Sequence, residues 1–149
     1  MVIGDANHAL DLTPVFVARN IDVLKQNNVK QLYLEYFRPM NQPELDRYFE
    51  KGDNLDELAQ ILAKQAPATY LNILPLVVKA RENGIKCIGI NKKGTPLDRN
   101  KFWVSVVEKN LSSLAPDGRY VVLCGSGHLQ GSMSFKFGEG KSIEELLNN

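Results

Sequence analysis

The chain has two histidines, and each follows a short apolar run that reads as a strand, inside a glycine-bearing turn. The turns are Gly4-Asp5-Ala6-Asn7-His8 and Gly125-Ser126-Gly127-His128. In open α/β sheets, ligands bind outside the carboxyl ends of the strands. These turns are therefore where chemistry is expected. Two further strand ends bring more groups. Glu35, followed by Arg38, lies near the end of the run 29–37, and Asn91-Lys92-Lys93 follows the run 85–90. Arg99 reads either as a solvated residue in the first turn of a later helix or, since a cation is mildly misplaced there, as a site residue. Two imidazoles with the carboxylates of Asp5 and Glu35 suit a divalent first-row metal of unspecified identity. Such an ion would polarise a carbonyl and acidify a water. Without a metal, Glu35 can serve as general base beside a histidine. The metal set is then Asp5, His8, Glu35 and His128. A three-imidazole site is excluded by the count alone.

Each residue also has a plain structural reading. His8 can cap a loop or the first helix, His128 can be a surface-loop histidine, and Glu35 can be an exposed edge-strand carboxylate. Lys92-Lys93 is most simply a solvated loop pair. Ser126 is not the serine of a GxSxG nucleophile elbow, because Leu123 occupies the first position. No GxGxxG or Walker A sequence occurs, so no nucleotide cofactor is expected.

The elements that position these residues alternate in type. Val2-Ile3 is a short strand. Thr13-Pro14 reads as an N-cap with proline at the first helical position. Val17, Ile21 and Leu24 continue at helical spacing, and Asn27-Asn28 ends the helix. Residues 29–37 (VKQLYLEYF) read as a strand with Glu35 on the Tyr33 face, opposite Leu32, Leu34 and Tyr36. The polar stretch 38–54 holds one short helix. Leu55, Leu58, Ala59, Leu62 and Ala63 form an amphipathic stripe ended by Pro67. Residues 71–83 are a helix in which Pro75 is tolerated only near the first turn, with Gly84 as its C′ residue. Residues 85–90 are a strand. Asp98 caps a helix whose apolar side carries Trp103, Val106, Val107, Leu111 and Leu114. Residues 119–124 are the last strand, and Ser142-Ile143-Glu144-Glu145 is a capping box opening a terminal helix. Helices between strands imply an α/β fold: a mostly parallel, four-stranded sheet with helices on its faces.

The 149 residues fit one domain, 1–149. With 18 Lys+Arg against 17 Asp+Glu, the net charge of +1 makes no case for a nucleic-acid partner. The longest apolar stretch, 71–78, is interrupted by Asn72 and Pro75 and is far short of the ~20 residues of a transmembrane helix. The start shows no signal-peptide pattern. The expectation is a cytoplasmic protein, or one translocated without a cleaved signal, taking a small-molecule or peptide ligand. Cys87 and Cys124 fall in strand-like runs without a CxxC partner and read as reduced core thiols.

Several of these stretches together resemble the TIKI/TraB-like superfamily, with its ChaN-like and erythromycin-esterase-like relatives. Asp98-Arg99-Asn100…Trp103, followed by Tyr120 to Gly131 (YVVLCGSGHLQG), resembles its closing motif. Gly4…His8 is similar to its opening Gly-x-x-His turn, Leu34-Glu35 to its Leu-Glu strand end, and residues 83–90 to its third strand. Residues 42–49 are similar to the subgroup found in bacterial toxins and secreted effectors. The resemblance spans roughly residues 2–131. It implies a sheet-and-helix fold with His8, Glu35, Arg99 and His128 as site residues. The opening turn has one residue more than Gly-x-x-His, and Asp5 stands where some branches have glutamate. In the alternative register Asn7 takes the histidine position. The functions implied are amide or ester hydrolysis, metal-assisted or not; a non-catalytic interaction domain of a toxin or effector; or haem binding, for which Tyr33, Tyr36 and the histidines are candidate ligands.

Overall fold

A computed structural model of the chain describes residues 1–5, 12–67, 70–129 and 141–148. Its strands are β1 (Val2–Asp5), β2 (Val29–Leu34), β3 (Lys86–Gly89) and β4 (Arg119–Gly125). They form one all-parallel sheet in the order β1-β4-β2-β3. The helices are α1 (Leu12–Arg19), α2 (Ile21–Gln26), α3 (Gln42–Lys51), α4 (Leu55–Gln65), α5 (Tyr70–Glu82), α6 (Pro96–Leu111) and α7 (Ile143–Leu147). The expected α/β architecture is what the chain adopts.

The two faces of the sheet carry separate apolar layers. Leu32, Leu34, Val121 and Leu123 pack with side chains of α1 to α5. Tyr33, Ile88, Val122 and Cys124 pack on the other side with Trp103, Val104 and Val107 of α6 and Ile143 of α7. Alternation along β2 and β4 thus feeds both layers. Burial on both faces is why these strands read as nearly unbroken apolar runs.

Several boundaries differ from the sequence expectation. The first helix is two helices broken at Asn20, although Val17, Ile21 and Leu24 are all buried as their spacing implies. Strand β2 stops at Leu34. Tyr36 and Phe37 are apolar because they are buried by helices, not because they pair in the sheet. The cap of α6 is Thr95, whose hydroxyl accepts from the Asp98 N–H at 3.2 Å, and Asp98 lies inside the helix. Leu111, expected on the apolar side, is exposed. Pro75 sits inside α5, beyond the first described turn. A proline there costs roughly 3 kcal/mol, and complete or nearly complete burial of Ile73, Leu76, Val77 and Ala80 outweighs it. The Ser142 capping box opening α7 is present as expected.

Helix α3 also closes one edge of the sheet. The Gln42 amide donates to Cys87 O at 3.1 Å, and its oxygen accepts from Gly89 N–H at 2.9 Å. Asp46, one turn on, accepts from Gln42 at 2.9 Å and pairs with Lys86 at 2.9 Å.

Helices α3 and α5 end on glycines in the left-handed region, Gly52 (φ 74°) and Gly84 (φ 69°). A Cβ at Gly84 would meet nothing within 4 Å. One at Gly52 would lie 2.6 Å from Arg81 Cζ, whose Nε donates to Tyr48 O at 2.7 Å. Gly84→Ala is therefore expected to lose about 1 kcal/mol, the backbone cost alone. Gly52→Ala should lose more, because Arg81 must also move. Equal losses in urea denaturation would contradict this account.

Candidate functional site at the ends of β2 and β4

Strands β2 and β4 are neighbours, but the chain leaves them on opposite sides. After β2 it runs to α3, in the layer of Leu32 and Leu34. After β4 it enters a 3-10 turn, Ser126–His128, where the His128 ring lies 4.3 Å from that of Trp103 in the α6 layer. Such a reversal at strand carboxyl ends opens a crevice where open α/β sheets bind ligands.

Glu35 is the first residue past β2. Its backbone N–H still donates to Leu123 O at 3.2 Å, which ties it to β4. Alternation turns its side chain toward the α6 layer, and it is 8% exposed. Oε2 accepts from the Gly125 N–H at 2.6 Å, and Oε1 accepts from Arg99 Nη2. His128 Nε2 lies 4.0 Å from the same Oε1. One carboxylate therefore joins the ends of β2 and β4 to the first turn of α6.

Helix α6 supplies the rest. Arg99 and Trp103, four residues apart, share a face, and the guanidinium carbon lies 5.2 Å from the indole centre. Asn100 is fully buried. Its Nδ2 donates to Lys141 O at 3.1 Å, and its Oδ1 faces His128 Nδ1 at 2.7 Å. A backbone carbonyl only accepts, so the Asn100 amide nitrogen must face Lys141 and its oxygen must face the imidazole. His128 Nδ1 is then the donor. In the neutral ring, this leaves Nε2 as the basic nitrogen on the side of Glu35 and Arg99. Two buried donors at the site, Arg99 Nε and Trp103 Nε1, have no hydrogen-bond partner among the described residues.

The cysteines are free and buried. Burial first, and then the negative charge of Glu35, push the Cys124 thiol up. Burial pushes the Cys87 thiol up to about 12. Both are neutral thiols at physiological pH and poor nucleophiles.

Of the residues expected at the site, Glu35, Arg99 and His128 come together. His8 and the alternative Asn7 lie outside the described residues. Asp5 ends β1 in register with Gly125, and its side chain lies outside the described set. Tyr33 and Tyr36 sit in the two opposite apolar layers. The Tyr33 hydroxyl donates to Gln31 Oε1 at 2.7 Å, away from the cluster. Among the described residues, no three His, Cys, Asp or Glu side chains converge to hold a metal. An ion on Glu35 Oε1 would also face the Arg99 guanidinium, so the described residues do not fit a divalent cation. Asn100 and Trp103 were not singled out from the sequence as site residues. The available signal was a buried-face asparagine directly after Arg99.

No protein-family model matches the chain, and no curated protein does. The chain is similar to the solved structure of the type III effector HopBA1, at TM-score 0.73 and 18% identity over 86% of this chain and 66% of that one. It is similar to RRSP, a MARTX toxin effector domain from Vibrio vulnificus, at TM-score 0.65 and 27% identity over 87% of this chain and 28% of that one. It is similar to the C-terminal region of Pasteurella multocida toxin, at TM-score 0.56 and 15% identity over 86% of this chain and 19% of that one. The chain thus spans two thirds or less of each, and its fold is that of bacterial toxin and effector domains.

Proposed function

We propose that the chain is a hydrolase domain of a bacterial toxin or effector, related to the TIKI/TraB-like superfamily, cleaving an amide or ester at the Glu35–Arg99–His128 cluster. The observation that carries this reading is the Asn100–His128 hydrogen bond of 2.7 Å, which turns His128 Nε2 toward Glu35 and Arg99. In the proposed reaction, Nε2 takes a proton from the attacking water and returns it to the leaving amine or alkoxide. The Arg99 guanidinium stabilises the oxyanion that develops on the carbonyl. Glu35 holds Arg99 in place and offsets the charge of the imidazolium. No step is routed through a metal. A translocated, soluble mode of action is consistent with the neighbours, and among the described residues no helix is long and apolar enough to cross a membrane.

One observation favours a second reading, a non-catalytic interaction domain. Both Glu35 oxygens already accept hydrogen bonds, as they would in a purely structural tie. The test is turnover of fluorogenic peptide amides and p-nitrophenyl esters by the wild type, His128→Ala and Asn100→Ala. The hydrolase reading expects about 10²–10⁴-fold lower kcat for His128→Ala with unchanged circular dichroism. It expects a smaller loss for Asn100→Ala, which leaves the ring but not its acceptor. Activity untouched by His128→Ala rejects the proposed base. No turnover of any substrate favours the interaction domain.

A further inference from the structure

Among the described residues, the surface beside the cluster from the ends of β2 and β3 to α6 is basic. Arg38 after β2, Lys92 and Lys93 after β3, and Lys101 in α6 are all exposed. The segments that carry them form one surface. Asn91 N–H donates to Phe37 O at 2.7 Å, binding the two loops side by side. A Cβ placed on Gly89 would lie 2.9 Å from Arg38 O, so these backbones are in direct contact. Lys92 Nζ lies 4.9 Å from the Phe102 ring centre, which joins the β3 loop to α6.

None of these four cations forms an ion pair with a described residue. Within residues 35–41 and 90–102 the carboxylates are Glu35 and Asp98. Glu35 is buried against Arg99. Asp98 is engaged by Thr95, whose hydroxyl donates to it at 2.7 Å. That bond, with Lys92 and Lys101 beside it, holds the Asp98 carboxyl below the usual carboxylate range. The α3–α4 surface has the opposite sign: six carboxylates lie between residues 44 and 57 against the two cations Arg47 and Lys51 of that stretch, with Lys86 of β3 pairing Asp46. Among the described residues, cations without an ion-pair partner thus gather where β2 and β3 end beside α6, away from the acidic α3–α4 surface. Repulsion among them is relieved by an anion.

The form of that anion follows from what else the face offers. Single-stranded nucleic acid is held on exposed aromatic platforms, and Phe102 is half-buried beneath Lys92. Anionic bilayers are held by cations together with inserted apolar side chains, and among the described side chains of residues 35–41 and 90–102 only Met40 is an exposed large hydrophobic. An extended acidic peptide needs neither. It would also bring an amide bond to the cluster. We propose that Arg38, Lys92, Lys93 and Lys101 form a docking surface for an acidic peptide segment, presenting the bond beside it to Arg99 and His128. This rests on the hydrolase reading.

The test uses the full chain and two fluorescein-labelled twelve-residue peptides, one of alternating Glu and Gly, one of alternating Lys and Gly. Fluorescence anisotropy should show binding of the acidic peptide only. Affinity should fall about tenfold or more when Lys92, Lys93 and Lys101 are all replaced by Glu, and again between low and physiological salt. Circular dichroism of the triple variant checks that these surface changes leave the fold intact. His128→Ala should still bind the peptide. Equal binding of both peptides, or unchanged affinity in the triple variant, overturns the proposal. Tighter binding to phosphatidylserine vesicles or to a single-stranded oligonucleotide than to the acidic peptide also overturns it. Failure of the hydrolase reading is seen separately, as charge-dependent binding with no cleavage of any peptide.

Discussion

Replacing Glu35 by alanine is expected to destabilise the protein by about 3–5 kcal/mol, the range for removing one member of a buried ion pair. Two groups lose their acceptor at once. The Arg99 guanidinium, three-quarters buried, is left without its carboxylate. The buried Gly125 N–H loses the oxygen at 2.6 Å. The damage reaches three elements, because that one side chain links the ends of β2 and β4 to α6. Glu35→Gln should fall between wild type and alanine. Its amide oxygen can still accept from Gly125, but its NH2 then faces another donor in Arg99. Urea denaturation measures the loss directly, and thermal unfolding should shift by about 2–4 °C per kcal/mol at this size. A loss below about 1 kcal/mol for Glu35→Ala would mean that the pair is not formed in solution.

Trp103→Ala should be comparably severe, about 3–5 kcal/mol, since it empties the largest fully buried side chain in the α6 layer. It also removes the ring against which His128 lies, so activity should fall with stability. Trp103→Phe separates the two effects. The indole N–H is buried without a partner among the described residues, and a donor left so carries a penalty of about 1–3 kcal/mol. Phenylalanine gives up volume but also gives up that orphan. Its net cost is expected to be under about 1.5 kcal/mol, with a ring still packed on His128 and activity largely kept. A Phe variant as unstable as the Ala variant would show that the indole N–H has a partner in solution.

What could be read from the sequence was what depends on local pattern. Alternation along residues 29–34 put Glu35 on the Tyr33 face, and the structure places it there, toward α6. Arg99 stood out because a cation belongs poorly in the first turn of a helix, and its partner proves to be a carboxylate. The break at Asn20 was invisible because Val17, Ile21 and Leu24 keep helical spacing across it. The end of β2 was hidden because Tyr36 and Phe37 are as apolar as strand residues. Strand order was beyond local pattern altogether. It is the insertion of β4 between β1 and β2 that sets Gly125 beside Glu35, and no periodicity along either strand encodes that neighbour. Asn100 was missed for a related reason: its role lies in which way each end of one amide points.

The Gln42 side chain has a consequence for how the molecule behaves at high concentration. By donating to Cys87 O and accepting from Gly89 N–H, it occupies the hydrogen-bonding positions that a fifth strand would take on β3. Lys86, at the start of that edge, adds a charge of the kind that discourages edge-to-edge pairing. A second chain cannot extend the sheet on this side without first displacing an amide that already satisfies both groups. The flank of the sheet nearest β3 is thereby closed to the runaway strand addition that begins amyloid-like growth.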